Sequence, residues 1–327
     1  MRVVVLGGSG YVGTRLCAML RDSGWAEPVS ASRRGGRGEI KHLQVDTTDP
    51  AALTQALKNS DAVVNCVAGD GESIAQGAAV LTQACITAGV PRLVHLSSMA
   101  VYGTAEGTID ESHPLDPTLG WYARAKCVAE GHVARFAEAG GVAITLRPGC
   151  VWGPGSELWV GRIGRWLQAR RLGDLGEAGD GWSNGVHVDD VCRAVLAALR
   201  LRQPALDVAT YNLAAPDSPR WNDYFVDLAL AIGATPVRRL TPHQLKADAY
   251  MGGPALKLAQ IALKKAGRPA PWLPDPMPPN LLGLWERHLR LDAAAAERDL
   301  RLEWTPYEQG LAESVGWWTA GREARAA

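Results

Sequence analysis

Arg2-Val3-Val4-Val5-Leu6 runs directly into Gly7-Gly8-Ser9-Gly10-Tyr11-Val12-Gly13 and then into the helical segment Thr14 to Arg21. The four consecutive β-branched or aliphatic positions after Arg2, without polar alternation, predict a strand buried on both faces, as in a parallel sheet. The glycines fall where that strand must turn into a helix. Gly7 allows the tight turn, Gly10 lets the backbone approach a pyrophosphate, and Gly13 lets helix and strand pack closely. The helix N-terminus then offers unpaired N–H groups to phosphates, and Tyr11 and Val12 lie within the same cradle.

Downstream the pattern repeats. A second strand near Pro28 to Ala31 ends in Ser32-Arg33-Arg34-Gly35-Gly36. Arg33 and Arg34 stand where an NAD site usually carries an acidic residue, and an arginine pair can hold a 2′-phosphate through charge-assisted hydrogen bonds. The expectation is NADP(H), with NAD(H) as the lesser cofactor; a solvated basic turn is the alternative. Leu43 to Val45 forms a third strand that stops at Asp46, and Asp46-Thr47-Thr48-Asp49-Pro50 caps the next helix. Asp46 can accept from an adenine amine or serve the cap, and both readings stand. Asp61 to Asn65 reads as a fourth strand, and Val67-Ala68-Gly69 as a small-residue turn that permits close passage of a cofactor. Arg92 to Leu96 is a fifth strand ending in the hydroxyls of Ser97 and Ser98. Strands alternating with helices predict an α/β fold with a doubly wound parallel sheet and its ligand at the C-terminal strand ends.

The composition excludes several functions. Lys plus Arg and Asp plus Glu both number 34 in 327 residues, so no basic excess points to nucleic acid or an anionic membrane. No apolar run is long enough to span a bilayer, and the start of the chain reads as a strand and not as a signal peptide. Six scattered cysteines without paired spacing predict reduced thiols in a cytoplasmic protein. Seven histidines without ligand spacing give no support for a metal site.

Tyr122-Ala123-Arg124-Ala125-Lys126 places a phenol and an ammonium four residues apart on one face of a predicted helix. A fixed positive charge beside a tyrosine favours its phenolate, which makes it a usable base near neutral pH. Around it stand Ser97-Ser98-Met99-Ala100-Val101-Tyr102-Gly103, Leu146-Arg147-Pro148-Gly149-Cys150-Val151-Trp152-Gly153 and Val186-His187-Val188-Asp189-Asp190. With Gly7, Gly10 and Gly13, this ordered set resembles the extended short-chain dehydrogenase/reductase superfamily, also called NAD-dependent epimerase/dehydratases. The resemblance spans nearly the whole chain and includes the last two helices, through Leu300 and Trp318.

The resemblance implies a Rossmann-type sheet, Tyr122 as general acid/base, Lys126 lowering its pKa and holding the nicotinamide ribose, and Ser98 bonding the substrate oxygen. Pro148 is carried over as a cofactor contact. Members that dehydrate nucleotide sugars usually carry Asp-Glu just after the catalytic hydroxyl, but here Met99 and Ala100 cannot transfer protons. Nucleotide-sugar epimerases commonly place an arginine shortly before the motif seen at Val186 to Asp190, where this chain has Gly181-Trp182-Ser183-Asn184-Gly185. Arg162 or Arg298 could compensate. Asp189-Asp190 reads as a helix cap with packing duties.

The chain leaves the sheet near Gly153 and returns through Val186 to Leu199 and Tyr211 to Leu213. This predicts a cofactor domain of residues 1–152 plus about 184–214, and a discontinuous substrate domain of about 153–183 plus 215–327. Tryptophans crowd the second part, and Trp152 and Trp182 are candidates, with Met99 and Ala100, to line a pocket for a fairly apolar small molecule. The Pro-rich stretch Arg268 to Asn280 predicts a rigid loop or lid segment. Apolar stripes on the helices Gly77 to Ala88 and Tyr122 to Ala137 match those that build a four-helix homodimer in the resembled family. The leading expectation is therefore an NADP(H)-dependent carbonyl reductase or alcohol dehydrogenase. A nucleotide-sugar 4-epimerase is the alternative, and a non-catalytic dinucleotide sensor, which usually lacks the Tyr-x-x-x-Lys pair, is the third.

Overall fold

A computed structural model describes residues 1–36, 39–202, 208–268 and 273–326. Cα packing divides the chain into two units, the first comprising 1–149, 186–214 and 291–305, and the second 150–185, 215–290 and 306–327.

The first unit opens with β1 (Arg2–Leu6), α1 (Tyr11–Asp22), β2 (Glu27–Ser32), β3 (His42–Gln44), α2 (Pro50–Leu57) and β4 (Ala62–Asn65). It continues with α3 (Gly71–Ala88), β5 (Arg92–Leu96), α4 (Trp121–Glu138), β6 (Val142–Pro148), α5 (Val188–Arg200) and β7 (Val208–Leu213). All seven strands lie in one parallel sheet ordered β7-β6-β5-β4-β1-β2-β3. The order reverses at β1, so the adjoining ends of β1 and β4 form the crevice where such sheets bind ligands. Register aligns Leu6 with Asn65, Asn65 with His95, and Leu96 with Leu146. Gly7, Cys66, Ser97 and Arg147 therefore emerge at one edge of the sheet. The unbroken apolar strands are buried, with Val4, Leu6, Val63 and Leu93 in a core shared with Leu53, Leu81 and Phe136. The helices extend past the expected limits because Gly10 and Asp70 begin α1 and α3 earlier than the apolar periodicity does.

Two glycines decide the turn. Gly7 has φ +76°, and a Cβ there would lie 2.8 Å from the Cys66 carbonyl oxygen. At Gly13 an added Cβ would stand 2.2 Å from the Gly7 oxygen, so α1 crosses the turn backbone to backbone. Gly13→Val is expected to lower stability by about 3 kcal/mol, the upper range for overpacking. A urea midpoint equal to that of the parent protein would count against this packing.

Residues 291–305, which the sequence reading assigned to the second domain, pack with the first. Asp190 accepts from Thr305 N at 3.2 and 3.1 Å and from Thr305 Oγ1 at 2.8 Å, and Asn212 Nδ2 donates to Asp292 O at 3.1 Å. Asp190 thus ties down a distant segment, and the cap of α5 is His187, whose side chain accepts from Asp189 N.

The second unit is helical, with Arg162–Gln168, Trp221–Ala231, Gly253–Lys265 and Tyr307–Ala326 among its elements. Trp166, Trp221, Phe225 and Trp285 are fully buried there, which absorbs much of its tryptophan into ordinary core. Of the proline-rich stretch, residues 269–272 lie outside the described residues, and 273–279 carry no regular structure before the helix Asn280–Trp285. Among the described residues no helix is long and apolar enough to cross a membrane, and all six cysteines are free.

Candidate active site

Helix α4 starts at Gly120, whose φ of +134° brings the chain in at an angle suited to glycine. Small buried residues, Ala123, Ala125 and Ala129, let the helix lie close to α3 and the sheet. The spacing of four then puts Tyr122, Lys126 and Glu130 on one face. Lys126 is only 3% exposed, and its Nζ donates to the Leu96 carbonyl at the end of β5, 2.8 Å away. The same Nζ lies 5.9 Å from the centre of the Tyr122 ring. Tyr122 is half-buried and meets Trp121 edge to face at 5.7 Å. Ser98 follows Leu96 by two residues and caps the short turn Met99–Tyr102, its Oγ accepting from Ala100 N at 3.2 Å. Met99 and Ala100 begin that turn, half-buried and without a titratable group.

Burial pulls the Lys126 ammonium down from 10.5 to about 8, against the attraction of Cys66 and Glu130. Burial also pushes the Cys66 thiol up to about 12, so that sulfur is uncharged at pH 8. Glu130 is thus the anion that favours the ammonium. His95, fully enclosed, is held well below its ordinary value by burial and by Lys126, and it contacts Asn65 Nδ2 at 3.1 Å as a neutral ring.

The cofactor crevice fits a dinucleotide on its own geometry. Gly10 begins α1 with no side chain capping the first turn and no acidic residue within it, so its N–H groups suit a pyrophosphate. Arg33 and Arg34 are exposed, while their carbonyls are fixed by Gln44 Nε2 at 3.1 Å and by Ser32 Oγ at 2.8 Å. Asp46 accepts from Thr48 N at 3.0 Å and Thr48 Oγ1 at 2.8 Å, while Asp49 caps α2 through Ala51 N and Ala52 N. Val67 N is anchored on Asn65 Oδ1 at 3.1 Å, with Ala68 next to it, and Pro148 ends β6.

In the second unit Trp152 is 7% exposed and packs on Tyr224 at 5.8 Å and Tyr307 at 5.5 Å. Trp182 is half-buried, with the guanidiniums of Arg220 and Arg290 each 4.5 Å from its ring centre. Its surroundings are cationic, a feature the sequence reading missed. Arg162 stands 5.9 Å over Trp166, and Arg298 is occupied by its neighbour Asp299.

The sequence profile of the NAD dependent epimerase/dehydratase family matches residues 3–214, and the chain belongs to that family. Its seven-stranded parallel sheet is the Rossmann-type fold of that family. A 2-alkyl-3-oxoalkanoate reductase of Stenotrophomonas maltophilia is 31% identical over 216 residues, 60% of this chain and 64% of that one. A dTDP-6-deoxy-L-talose 4-dehydrogenase (NAD(P)(+)) of Kitasatospora kifunensis is 34% identical over 236 residues, 64% of this chain and 74% of the relative. The match to the first of these thus spans under two thirds of its length. Among solved structures, MoeE5 in complex with UDP-glucuronic acid and NAD superimposes with a TM-score of 0.73 at 24% identity, covering 98% of this chain and 100% of that one. At that identity the likeness is one of fold.

Proposed function

We propose that this protein is an NADP(H)-dependent oxidoreductase that interconverts a carbonyl and an alcohol on a small, fairly apolar metabolite. The observation that carries the reading is the Lys126–Leu96 bond at 2.8 Å, which brings a buried ammonium to the strand end that bears Ser98, one helical turn from Tyr122. The dinucleotide, when bound, supplies or accepts the hydride. In the reducing direction Tyr122 gives its phenolic proton to the substrate oxygen, and the Ser98 hydroxyl donates a hydrogen bond to the same oxygen. The Lys126 ammonium stabilises the phenolate left behind and is suited to the ribose hydroxyls. Met99 and Ala100 hold no second acid or base, which fits a reaction that moves one proton and disfavours dehydration. The resemblance to an oxoalkanoate reductase supports an apolar carbonyl substrate.

The exposed side chains of Arg33 and Arg34, with their backbone already fixed, support a preference for a 2′-phosphate. NADPH is expected to bind more tightly than NADH, and Arg33→Asp with Arg34→Ser to cut that preference by about ten- to a hundredfold, the worth of one or two charge-assisted hydrogen bonds. Competitive fluorescence titration measures it, and an unaltered ratio rejects the assignment. The reading of the reaction is tested by following NADPH absorbance with aliphatic ketones and 3-oxo acids; oxidation of NADPH by none of them would defeat it.

A second reading, chemistry on a nucleotide sugar, is supported by Arg220 and Arg290 beside Trp182, which could serve a diphosphate and a base. Calorimetric binding of UDP or dTDP would favour it, as would NAD copurifying with the protein. Ile86 on α3 and Val128 on α4 are exposed at 41% and 44%, which supports a homodimer through these helices, to be checked by light scattering.

A further inference from the structure

Glu130 lies one turn beyond Lys126, and both ends of its carboxylate are engaged. Arg147 grips it with Nη2 at 2.7 Å and Nε at 3.0 Å, and the Ser97 hydroxyl donates to Oε1. The two charged side chains are only 7% and 9% exposed. Arg147 Nη1 reaches on to the Tyr102 hydroxyl at 2.8 Å and the Glu111 carbonyl at 3.2 Å. Tyr102 in turn donates to Asn212 Oδ1 at 2.6 Å. Asn212 completes the chain, donating its amide to Ile109 O at 3.1 Å and its backbone N–H to Glu111 Oε1 at 2.7 Å.

This network brackets Ser98. On one side the preceding residue, Ser97, is held by Glu130. On the other, Tyr102 closes the turn that Ser98 caps, and it is held by Arg147. Leu96 and Ser97, consecutive at the end of β5, are therefore fastened to α4 at Lys126 and Glu130, consecutive turns of one helix face. A buried ion pair contributes little net stability compared with well-packed apolar residues, so its presence here is better explained by the geometry it fixes.

We propose that Glu130, clamped by Arg147, is a positioning residue that sets the separation between the Ser98 hydroxyl and the helix face carrying Tyr122 and Lys126. The proposal rests on the catalytic reading above. A displacement of about 1 Å at a reacting group can cost a hundredfold in rate, so a clamp of this kind governs turnover without touching substrate. Its charge has a second consequence: without Glu130 the Lys126 ammonium would lose the carboxylate that favours it against burial.

Three variants separate reach from charge. Ser97→Ala removes only the hydroxyl link, Glu130→Asp keeps the charge but shortens the reach, and Glu130→Gln keeps the shape but not the charge. NADPH reduction of a 3-oxo acid is the turnover assay, with NADPH affinity read by fluorescence. Ser97→Ala and Glu130→Asp are expected to lower kcat about tenfold or more, with NADPH affinity unchanged. Glu130→Gln should also move the alkaline limb of the kcat/KM profile to lower pH, because Lys126 loses the anion that opposes its deprotonation; a purely structural role would leave that limb in place. Ser97→Ala leaves the Glu130–Arg147 pair intact, so it stays informative if the Glu130 variants do not fold. Crystal structures of Ser97→Ala and the parent decide the point apart from catalysis: Ser98 should move relative to Tyr122 by about 0.5 Å or more, the tolerance of a productive site. Superimposable positions in the crystals, or turnover within twofold of the parent for Ser97→Ala while Tyr122→Phe is inactive, would overturn the proposal. Activity retained by Tyr122→Phe would instead indict the catalytic reading, and the crystallographic comparison would still judge the clamp.

Discussion

Replacing Tyr122 by phenylalanine should leave NADPH binding unchanged and lower turnover by about 10²- to 10⁴-fold, the usual worth of a positioned general acid. The substitution removes one oxygen and keeps the ring. Packing against Trp121 at 5.7 Å and the position beside Lys126 at 5.9 Å both persist, so the loss reports chemistry and not folding. Met99 and Ala100 carry no titratable group that could replace the lost phenol. The measurement is a fluorescence titration with NADPH beside the initial rate of ketone reduction. A variant that binds cofactor and keeps near-full activity would remove Tyr122 from the mechanism.

Lys126→Met should make the apoprotein more stable while costing it activity. The ammonium is buried, and folding pulls it from 10.5 to about 8. The unfolded chain therefore holds this proton more tightly than the folded one, and stability rises with pH between those values. Below about pH 8 the full penalty applies, and a fall of this size corresponds to roughly 3 kcal/mol. Methionine has a similar length and carries no charge. Its gain is offset by the Leu96 carbonyl, which loses a donor at a cost of about 1 kcal/mol. Net stabilisation at pH 7 is thus expected to be near 2 kcal/mol, seen as a raised urea midpoint. It should shrink as the pH climbs from 8 towards 10.5, where the lysine of the parent protein becomes neutral in both states. A destabilised variant, or a difference independent of pH, would mean that the ammonium is not held at a cost. Groups that sacrifice stability in this way are common at functional sites.

Much of the first unit was legible because its signals are local. Val3-Val4-Val5-Leu6 can only be satisfied by burial on both faces, and Gly7 and Gly13 fall where φ and close backbone approach exclude a side chain. The placement of Tyr122 and Lys126 on one helix face follows from the 3.6-residue period. Other features were hidden because they depend on contacts distant in sequence. Glu130 sits at the right spacing, yet nothing local says that Arg147, seventeen residues on, would close on it. Asp190 looked like a cap, but it holds Thr305 across 115 positions of sequence, which draws 291–305 into the first unit. By sequence Trp182 suits an apolar wall, whereas in the fold the guanidiniums of Arg220 and Arg290 lie over its ring.

By itself, then, the sequence determined the parallel sheet, the glycine turn and the shared helix face of Tyr122 and Lys126, since each follows from side-chain type and a short-range period. Tertiary structure alone decided what surrounds that set. The sequence marks Lys126 by its spacing from Tyr122 but not by its surroundings, and only folding of α4 onto the end of β5 buries it, gives it the Leu96 carbonyl and draws its pKa to about 8. Desolvation and buried charge pairing depend on which distant segments meet, and that is fixed by packing rather than by local sequence.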